Sequence, residues 1–463
     1  MRVFRTCLTF IAGVAVVLTT TSDARTETIK LETKRLPSSY MAVGSSKDAA
    51  FRSRYYQSFY SRAGSDVRIA GQTSFTKVVV KEPKYTSARP FKAVAKLGTL
   101  DFGFAFDSDA AEADQPKSTS RTSTRVLYTR LYFDSNHNGD LTDDPIIETE
   151  RKSSSSSYFP RVDVNVDIDG TKTEYSFYMR AYSSSSGYSR AYLYGAAYRQ
   201  GEITLNGEKK RVVLVDSNSN AQFDDPVSTV TRSDGTVYAS SSSDMIFIDP
   251  DPSKGTMQDV QQPVGKLLNI AGRFYDMELS PAGDKLTLAP STVPVGYVSN
   301  PNKGVNALVH GDQGVLRFSA DDSGKSPLPV GDWKLLSYTI DGTAKAKTEE
   351  GSLLDSLSAA LVQSSSSART YISARAKKDY TAVSVREGET VDLPFGPPYK
   401  PIVKVSGTSG SSGNRAARLS LSFVGTGGEI CSGIMVNGSR PKEPEFTITS
   451  AEEKVAQGKF RYG

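Results

Sequence analysis

Residues 161–182 read Arg-Val-Asp-Val-Asn-Val-Asp-Ile-Asp-Gly-Thr-Lys-Thr-Glu-Tyr-Ser-Phe-Tyr-Met-Arg-Ala-Tyr, and residues 190–198 read Arg-Ala-Tyr-Leu-Tyr-Gly-Ala-Ala-Tyr. Val and Ile alternate with Asp and Asn in the first run. This period of two puts one face of an extended strand in a core and the other in water. The runs are rich in β-branched and aromatic residues and are bounded by Gly, Asp or Ser, as strands are. The same grammar recurs at Ser74–Val80, Arg125–Phe133, Lys210–Val215, Met245–Ile248, Lys266–Leu279 and Lys285–Leu288. Strand signals at this density predict an all-β chain. Helical periodicity is confined to Lys47–Tyr60, with Phe51, Tyr55 and Phe59 four residues apart, and to Ser352–Val362, with Leu353, Leu354, Leu357 and Leu361.

Breaks in composition divide the chain. Residues 1–24 read as a signal peptide: Arg2 and Arg5 precede an apolar stretch from Thr6 to Thr21, and Ser22-Asp23-Ala24 offers small residues for cleavage. The mature chain is expected to begin at Arg25 and to act outside the cytoplasm. Residues 25–74 are expected to be partly helical or flexible, and 75–290 to form a β-rich domain. Pro, Gly and Asn cluster at 292–304, and a β-sandwich module is expected over 293–392, with Trp333, the single Trp, filling the space between its sheets. A Pro-rich segment at 393–401 precedes a small β module over 399–463, short for a sandwich and expected to pair with its neighbour. Serine tracts at 153–157, 183–186, 240–243 and 364–367 read as solvated loop tips.

The chain has 463 residues, 38% of them hydrophobic and 23% charged, which excludes wholesale disorder and a polytopic membrane protein. It contains two His and two Cys, so His-rich or Cys-rich zinc sites and iron–sulfur clusters are excluded by number. Cys7 leaves with the signal peptide, and Cys431 then has no partner for a disulfide. Loss of Arg2, Arg5 and Asp23 takes the formal charge from +5 to +4, with no basic block to follow phosphates, so nucleic acid is not an expected partner. No run after the signal approaches the length of a transmembrane helix.

One loop occurs twice, about 80 residues apart. Residues 131–145 read Leu-Tyr-Phe-Asp-Ser-Asn-His-Asn-Gly-Asp-Leu-Thr-Asp-Asp-Pro, and residues 213–226 read Val-Leu-Val-Asp-Ser-Asn-Ser-Asn-Ala-Gln-Phe-Asp-Asp-Pro. Asp134, Asn136 and Asn138 alternate and can curl their oxygens round a hard cation. Gly139 permits the sharp turn, Asp140 follows it, and Asp143 or Asp144 can close the sphere. In the second copy Asp216, Asn218 and Asn220 keep the alternation and Asp224 and Asp225 follow, but Ala221 replaces the glycine and Gln222 the acid. Calcium is the expected ion, at an affinity on the order of 0.1–1 mM, since the alternating ligands include neutral Asn and no Glu closes either loop. Asn- and Asp-rich hairpin turns that bind nothing are the alternative. His137 points outward in such a loop and is given no catalytic role.

These loops resemble the Asp-x-Asp/Asn-x-Asp/Asn-Gly start of EF-hand and dockerin calcium loops, although a strand precedes each and Pro145 stands where EF-hands carry Glu. Together with the export signal, the segment Gly272–Leu288 and the ending Gly458–Gly463, the chain resembles exported multidomain β-rich proteins of planctomycete-type bacteria. The resemblance implies export and a calcium-loop architecture and brings no known reaction with it.

The chain holds no His-Glu-x-x-His, no Gly-x-Ser-x-Gly, no phosphate loop and no Cys beside a base. Asp163, Asp167 and Asp169 share one strand face, which reads as a solvated face and serves a carboxylate-dependent polysaccharide hydrolase only if a second strand closes a cleft over it. The expected function is therefore a non-catalytic, calcium-binding protein of the cell envelope that holds a glycan or another protein, with that hydrolase as the alternative.

Overall fold

A computed structural model describes residues 25–62, 73–109, 126–184, 188–205, 207–240, 242–251, 260–319, 324–342, 370–409 and 415–462. The chain is all-β, with 56% strand and 4% helix. The expected signal peptide and the Leu-rich segment Ser352–Val362 lie outside the described residues.

Four sheets enclose the first core. The alternating run forms Val162–Ile168, which pairs antiparallel with Thr171–Ser183, which in turn pairs with Tyr188–Gly195. Val162, Val164, Val166 and Ile168 are buried, while Asp163 and Asn165 face water, as a period of two requires. A second sheet orders Gln261–Pro263, Met245–Ile248, Glu208–Val215, Ala197–Leu205 and Glu32–Arg35. A third comprises Phe91–Leu97, Leu100–Asp107, Arg130–Phe133 and Ile147–Glu148, and a fourth Glu27–Lys30, Lys285–Pro290, Arg273–Leu279 and Leu267–Ile270. Their inner faces meet on a dense aromatic cluster that includes Phe59, Phe91, Phe104, Phe106, Phe133, Phe159 and Phe177. The two acidic loops leave this core from the ends of Arg130–Phe133 and Glu208–Val215, so each is anchored by a buried strand.

The N-terminal segment departs from expectation. Residues 25–62 supply three strands, Glu27–Lys30, Glu32–Arg35 and Gln57–Arg62, to three different sheets, and only short 3-10 turns at Tyr40–Ser45 and Ala49–Phe51 are helical. The four-residue spacing of Phe51, Tyr55 and Phe59 does not make one helix face. Phe51 packs on Tyr198 and Phe247, Phe59 enters the main core against Phe104, and Tyr55 is 47% exposed. Within the expected strand Ser74–Val80, Phe75–Val78 is instead a single α-helical turn. The serines at 153–157 are not all solvated: Ser156 and Ser157 are buried in Ser156–Tyr158, which pairs with Thr171–Ser183.

The second core is a sandwich built round Trp333. One layer is Lys325–Pro329, Val295–Ser299 and Thr390–Asp392; the other is an eight-stranded sheet running from Gly314–Ser319 to Lys400–Ser409. Trp333 is 1% exposed and its indole N–H donates to the Pro329 carbonyl at 2.8 Å. The strands Lys400–Ser409 and Arg415–Val424 join this sheet through Ile430–Met435, which pairs with Tyr371–Arg375, while the last pair, Glu445–Ser450 with Glu453–Lys459, forms a two-stranded sheet of its own. Buried Glu429 fastens the junction, accepting from the Tyr338 hydroxyl at 2.8 Å and from the amides of Gly396 and Gly427 at 2.8 and 2.9 Å. Among the described residues no helix is long and apolar enough to cross a membrane.

Because one ring fills the sandwich, Trp333→Ala is expected to lower its stability by about 3–5 kcal/mol. Urea denaturation followed by far-UV circular dichroism measures this as a separate early transition, with the first core unfolding later.

Candidate functional site

The two loops share the Asn-to-amide bonds of their turns, while the leading aspartates accept from different sets of amides. In the first, buried Asp134 accepts from the amides of Asn138 and Gly139, both at 3.0 Å. Asn136 Oδ1 accepts from the Asn138 amide at 3.1 Å, and Asn138 Oδ1 from the Asp140 amide at 2.8 Å. In the second, Asp216 accepts from the amides of Asn218, Ser219 and Ala221 at 3.1, 2.7 and 2.8 Å. Asn218 and Asn220 then accept from the amides of Asn220 and Gln222. The sharp bend needs positive φ at matching residues: 57° and 78° at His137 and Gly139, 66° and 69° at Ser219 and Ala221. Glycine at 139 has a further cause, since a Cβ there would stand 2.7 Å from the Val78 carbonyl oxygen.

The acidic pairs close the loops by different routes. Asn138 Nδ2 donates to Asp143 at 2.8 Å, and Asn220 Nδ2 to Asp225 at 2.7 Å, so Asp143 and Asp225 hold equivalent places. Asn218 Nδ2 also donates to Asp225, at 2.8 Å. Asp144 accepts from the Ser135 amide and hydroxyl. Its counterpart is Asp244, which no spacing argument reaches, because it comes from the strand that flanks the loop. Asp244 is fully buried and accepts from the amides of Ser217 and Asp225 at 2.8 and 3.0 Å. Asp140 turns away to Lys81 at 2.7 Å and is held at about 2 by hydrogen bonds from Lys81 and Thr142. Asp224 also stands apart; burial raises its carboxyl, and the charges of Asp225 and Asp169 add to the rise.

Electrostatics separate the two copies. Burial drives Asp216 up to about 6 against hydrogen bonds from Tyr175, at 2.7 Å, and from the loop amides. Burial and then the Asp216 charge push Asp244 well above the ordinary carboxylate range. In the first loop burial raises Asp144, with the Asp134 and Asp143 charges adding to it. Asp144 Oδ2 is buried without a hydrogen-bond partner, and a buried anionic oxygen left bare costs free energy that a cation recovers. The first loop thus gathers the side-chain oxygens of Asp134, Asn136, Asn138, Asp143 and Asp144. Among the described residues no group of three or more His, Cys, Asp or Glu side chains is placed to hold a metal ion.

A second feature lies on the sheet that carries the alternating run. Tyr188, Arg190, Tyr192 and Tyr194 project from one face of Tyr188–Gly195, their neighbours being buried in the core. Arg180 lies 5.2 Å from the Tyr158 ring and 5.7 Å from Tyr192; Arg190 lies 5.0 Å from Tyr60 and 4.7 Å from Tyr188. Tyr56, 46% exposed, meets Tyr192 and Tyr194 edge-on at 4.9 and 5.2 Å. The strand face with three Asp is different. Asp163 pairs with Arg161 and Ser176, and Asp167 accepts from the Gly170 amide. Neither of the two principal cavities, of about 320 and 290 Å3, is lined by a carboxylate.

The chain matches no protein-family model, no curated protein and no solved structure.

Asp216 gives a test in calcium-free buffer. With its folded value near 6 and its ordinary value at 3.8, its contribution to stability is present below about pH 4 and is lost as pH rises through 6. The Tyr175 hydroxyl opposes that loss by binding the charged form. Tyr175→Phe is therefore expected to cost about 1.5–3 kcal/mol at pH 7.5 and distinctly less at pH 4.5, measured by urea denaturation at both values.

Proposed function

We propose that this is an exported, calcium-stabilised, non-catalytic protein that binds glycan chains on the tyrosine face of its first domain. The observation that carries binding is that open face: the exposed rings of Tyr56 and Tyr60 beside the half-buried rings of Tyr188, Tyr192 and Tyr194, interleaved with guanidinium groups that supply fixed donors. Tyr loses little conformational freedom on binding, and Arg180 and Arg190 are each already held between two rings. Glycan is taken as the ligand because the rings form an extended, shallow row that matches the successive units of a chain. The carboxylate hydrolase has no comparable support, since the Asp-bearing strand face is solvated and tied to arginine.

Calcium in this reading is a strut. Asp134, Asn136, Asn138, Asp143 and Asp144 would hold it in the first loop, where it would supply the positive charge that Asp144 Oδ2 lacks. Asp216, Asn218, Asn220, Asp225 and Asp244 would form the weaker second site, relieving the repulsion between Asp216 and Asp244.

Two measurements test this. Calcium at ~10 mM, against chelator, is expected to stabilise the purified chain by about 1–3 kcal/mol, read as a rise of a few degrees in Tm. Asp134→Ala should remove most of that rise and Asp216→Ala a smaller part; identical melts in calcium and chelator would leave the loops as polar turns. In depletion assays on insoluble cellulose, chitin and pectin, at least one polymer should retain the protein. Tyr192→Ala with Tyr56→Ala should weaken that retention by about tenfold or more, on the scale of lost stacking contacts, without changing Tm. Retention unchanged by both substitutions would reject the face as the binding surface.

A further inference from the structure

The cavity of about 320 Å3 lies where the two cores meet and plays no part in the proposed glycan face. On one side its wall is the second acidic loop at Ser217 and the hairpin of Thr229–Thr231 and Val237–Ala239. On the other it is the sandwich strands Gly314–Ser319, Gly331–Asp341 and Tyr371–Arg375. The two sides are tied by backbone hydrogen bonds from Val237 to Ala376 and from Lys378 to Gly235, at 3.0 and 2.9 Å, and by apolar packing of Val237 on Val315 and Leu336. Concave sites at such junctions are where small ligands are commonly held, and this volume is at the small end of their range.

Its charge is one-sided. Arg54, Arg317 and Arg375 line it, and no Asp or Glu does. Arg317 is anchored on the Gln261 carbonyl at 3.3 Å. Arg54 donates to neutral Gln261 Oε1 at 2.7 Å, and Arg375 lies 4.3 Å from the Tyr238 ring, whose centre is also 4.1 Å from Arg232. Among the described residues neither Arg54 nor Arg375 has an ion-pair partner. Cationic groups gathered round one partly enclosed space repel one another, and an anion there removes that cost while gaining charge-assisted hydrogen bonds.

Ser217 also lines the cavity, but it is 1% exposed and its hydroxyl, which has no hydrogen-bond partner, presents no accessible surface to the space, so it stands out of a ligand's reach.

We propose that this cavity, lined by Arg54, Arg375, Tyr238 and Ser217, binds a small molecule of monosaccharide size that carries a carboxylate or a sulfate. The guanidinium groups take the anionic oxygens, and Val237, Val315 and Leu336 form the apolar floor. Because both cores contribute walls, occupancy fastens the first domain to the sandwich.

Isothermal titration of the full chain tests this with sodium glucuronate, glucose 6-sulfate and glucose, at fixed ionic strength. The expected result is saturable one-to-one binding of at least one anion and none of glucose, which also separates carboxylate from sulfate recognition. Arg375→Gln should weaken that binding by about tenfold or more, and Arg375→Lys by less because it keeps the charge and loses the fork. Bound anion should also raise the Tm, and this rise should disappear in Arg375→Gln. Should Arg375→Gln fail to fold, Arg54→Gln on the exposed side of the cavity carries the same comparison. Tyr192→Ala, outside the cavity, should bind the anion as the parent does, so failure of the glycan face leaves this result readable. Absence of heat with either anion at ~10 mM, equal binding of glucose, or unaltered affinity in both arginine variants overturns the proposal.

Discussion

A carboxylate sealed from water has to be solvated by the protein itself, and Asp216 shows how much structure that demands. Three loop amides and the Tyr175 hydroxyl surround it, and this cage dictates the path of the chain from Asn218 to Ala221. The cage then positions everything that leans on the loop. Ser53 Oγ donates to the Asp216 carbonyl, the Tyr55 amide to the Ser217 carbonyl, Ser219 Oγ to the Tyr55 carbonyl, and Gln57 to the Ser219 carbonyl. Through these bonds the loop fixes residues 53–57, which lead into the strand beneath the tyrosine face. Ala221 pays a conformational cost at φ 69° that glycine would not, and its amide bond to Asp216 offsets it.

The parts of this architecture that were legible in the sequence are the parts written in local periodicity. Val162–Ile168 alternates without interruption and is a strand with its hydrophobic side inward. The Asp-Ser-Asn-x-Asn repeat announced two like loops, and they share the positive-φ residues of the turn, although their leading aspartates accept from different sets of amides. What was not legible depends on partners far along the chain. Glu27-Thr28-Ile29-Lys30 has no strand signature of its own and becomes one because Lys285–Pro290 offers an edge. Phe51 and Phe59 mimic a helix face because two separate cores each need a ring at that point. Asp244 follows a serine tract and nothing near it hints at Ser217, whose amide it accepts; only the fold brings them together. The burial of Ser156 and Ser157 has the same origin, since the sheet supplies a backbone ladder that the side chains do not request.

The outer surface of the first domain is divided between cover and exposure. The even-numbered face of Thr171–Ser183 is sealed at its middle, where Tyr178 packs with Leu36, Val43 and Phe51, and open beyond it, where Arg180 and Tyr182 stand beside Arg190 and Tyr192. One strand thus serves two environments by changing from apolar packing to a lattice of rings and guanidinium groups. The ring–cation contacts hold the open half in order without an overlying layer, which a sheet face of small polar residues could not do.

The pairing of Glu27 with Leu288 has a mechanical consequence. The first strand is at the edge of its sheet, antiparallel to the strand that leads toward the sandwich, so the two chain segments leave the ladder at the same end. Tension between the chain before Glu27 and the sandwich would load the hydrogen bonds from Glu27–Leu288 to Lys30–Lys285 one after another. Such a joint peels at low force, whereas a sheared ladder bears its load on all bonds together. Under traction the first strand would therefore come away one ladder bond at a time, withdrawing Ile29 from the edge of the first core.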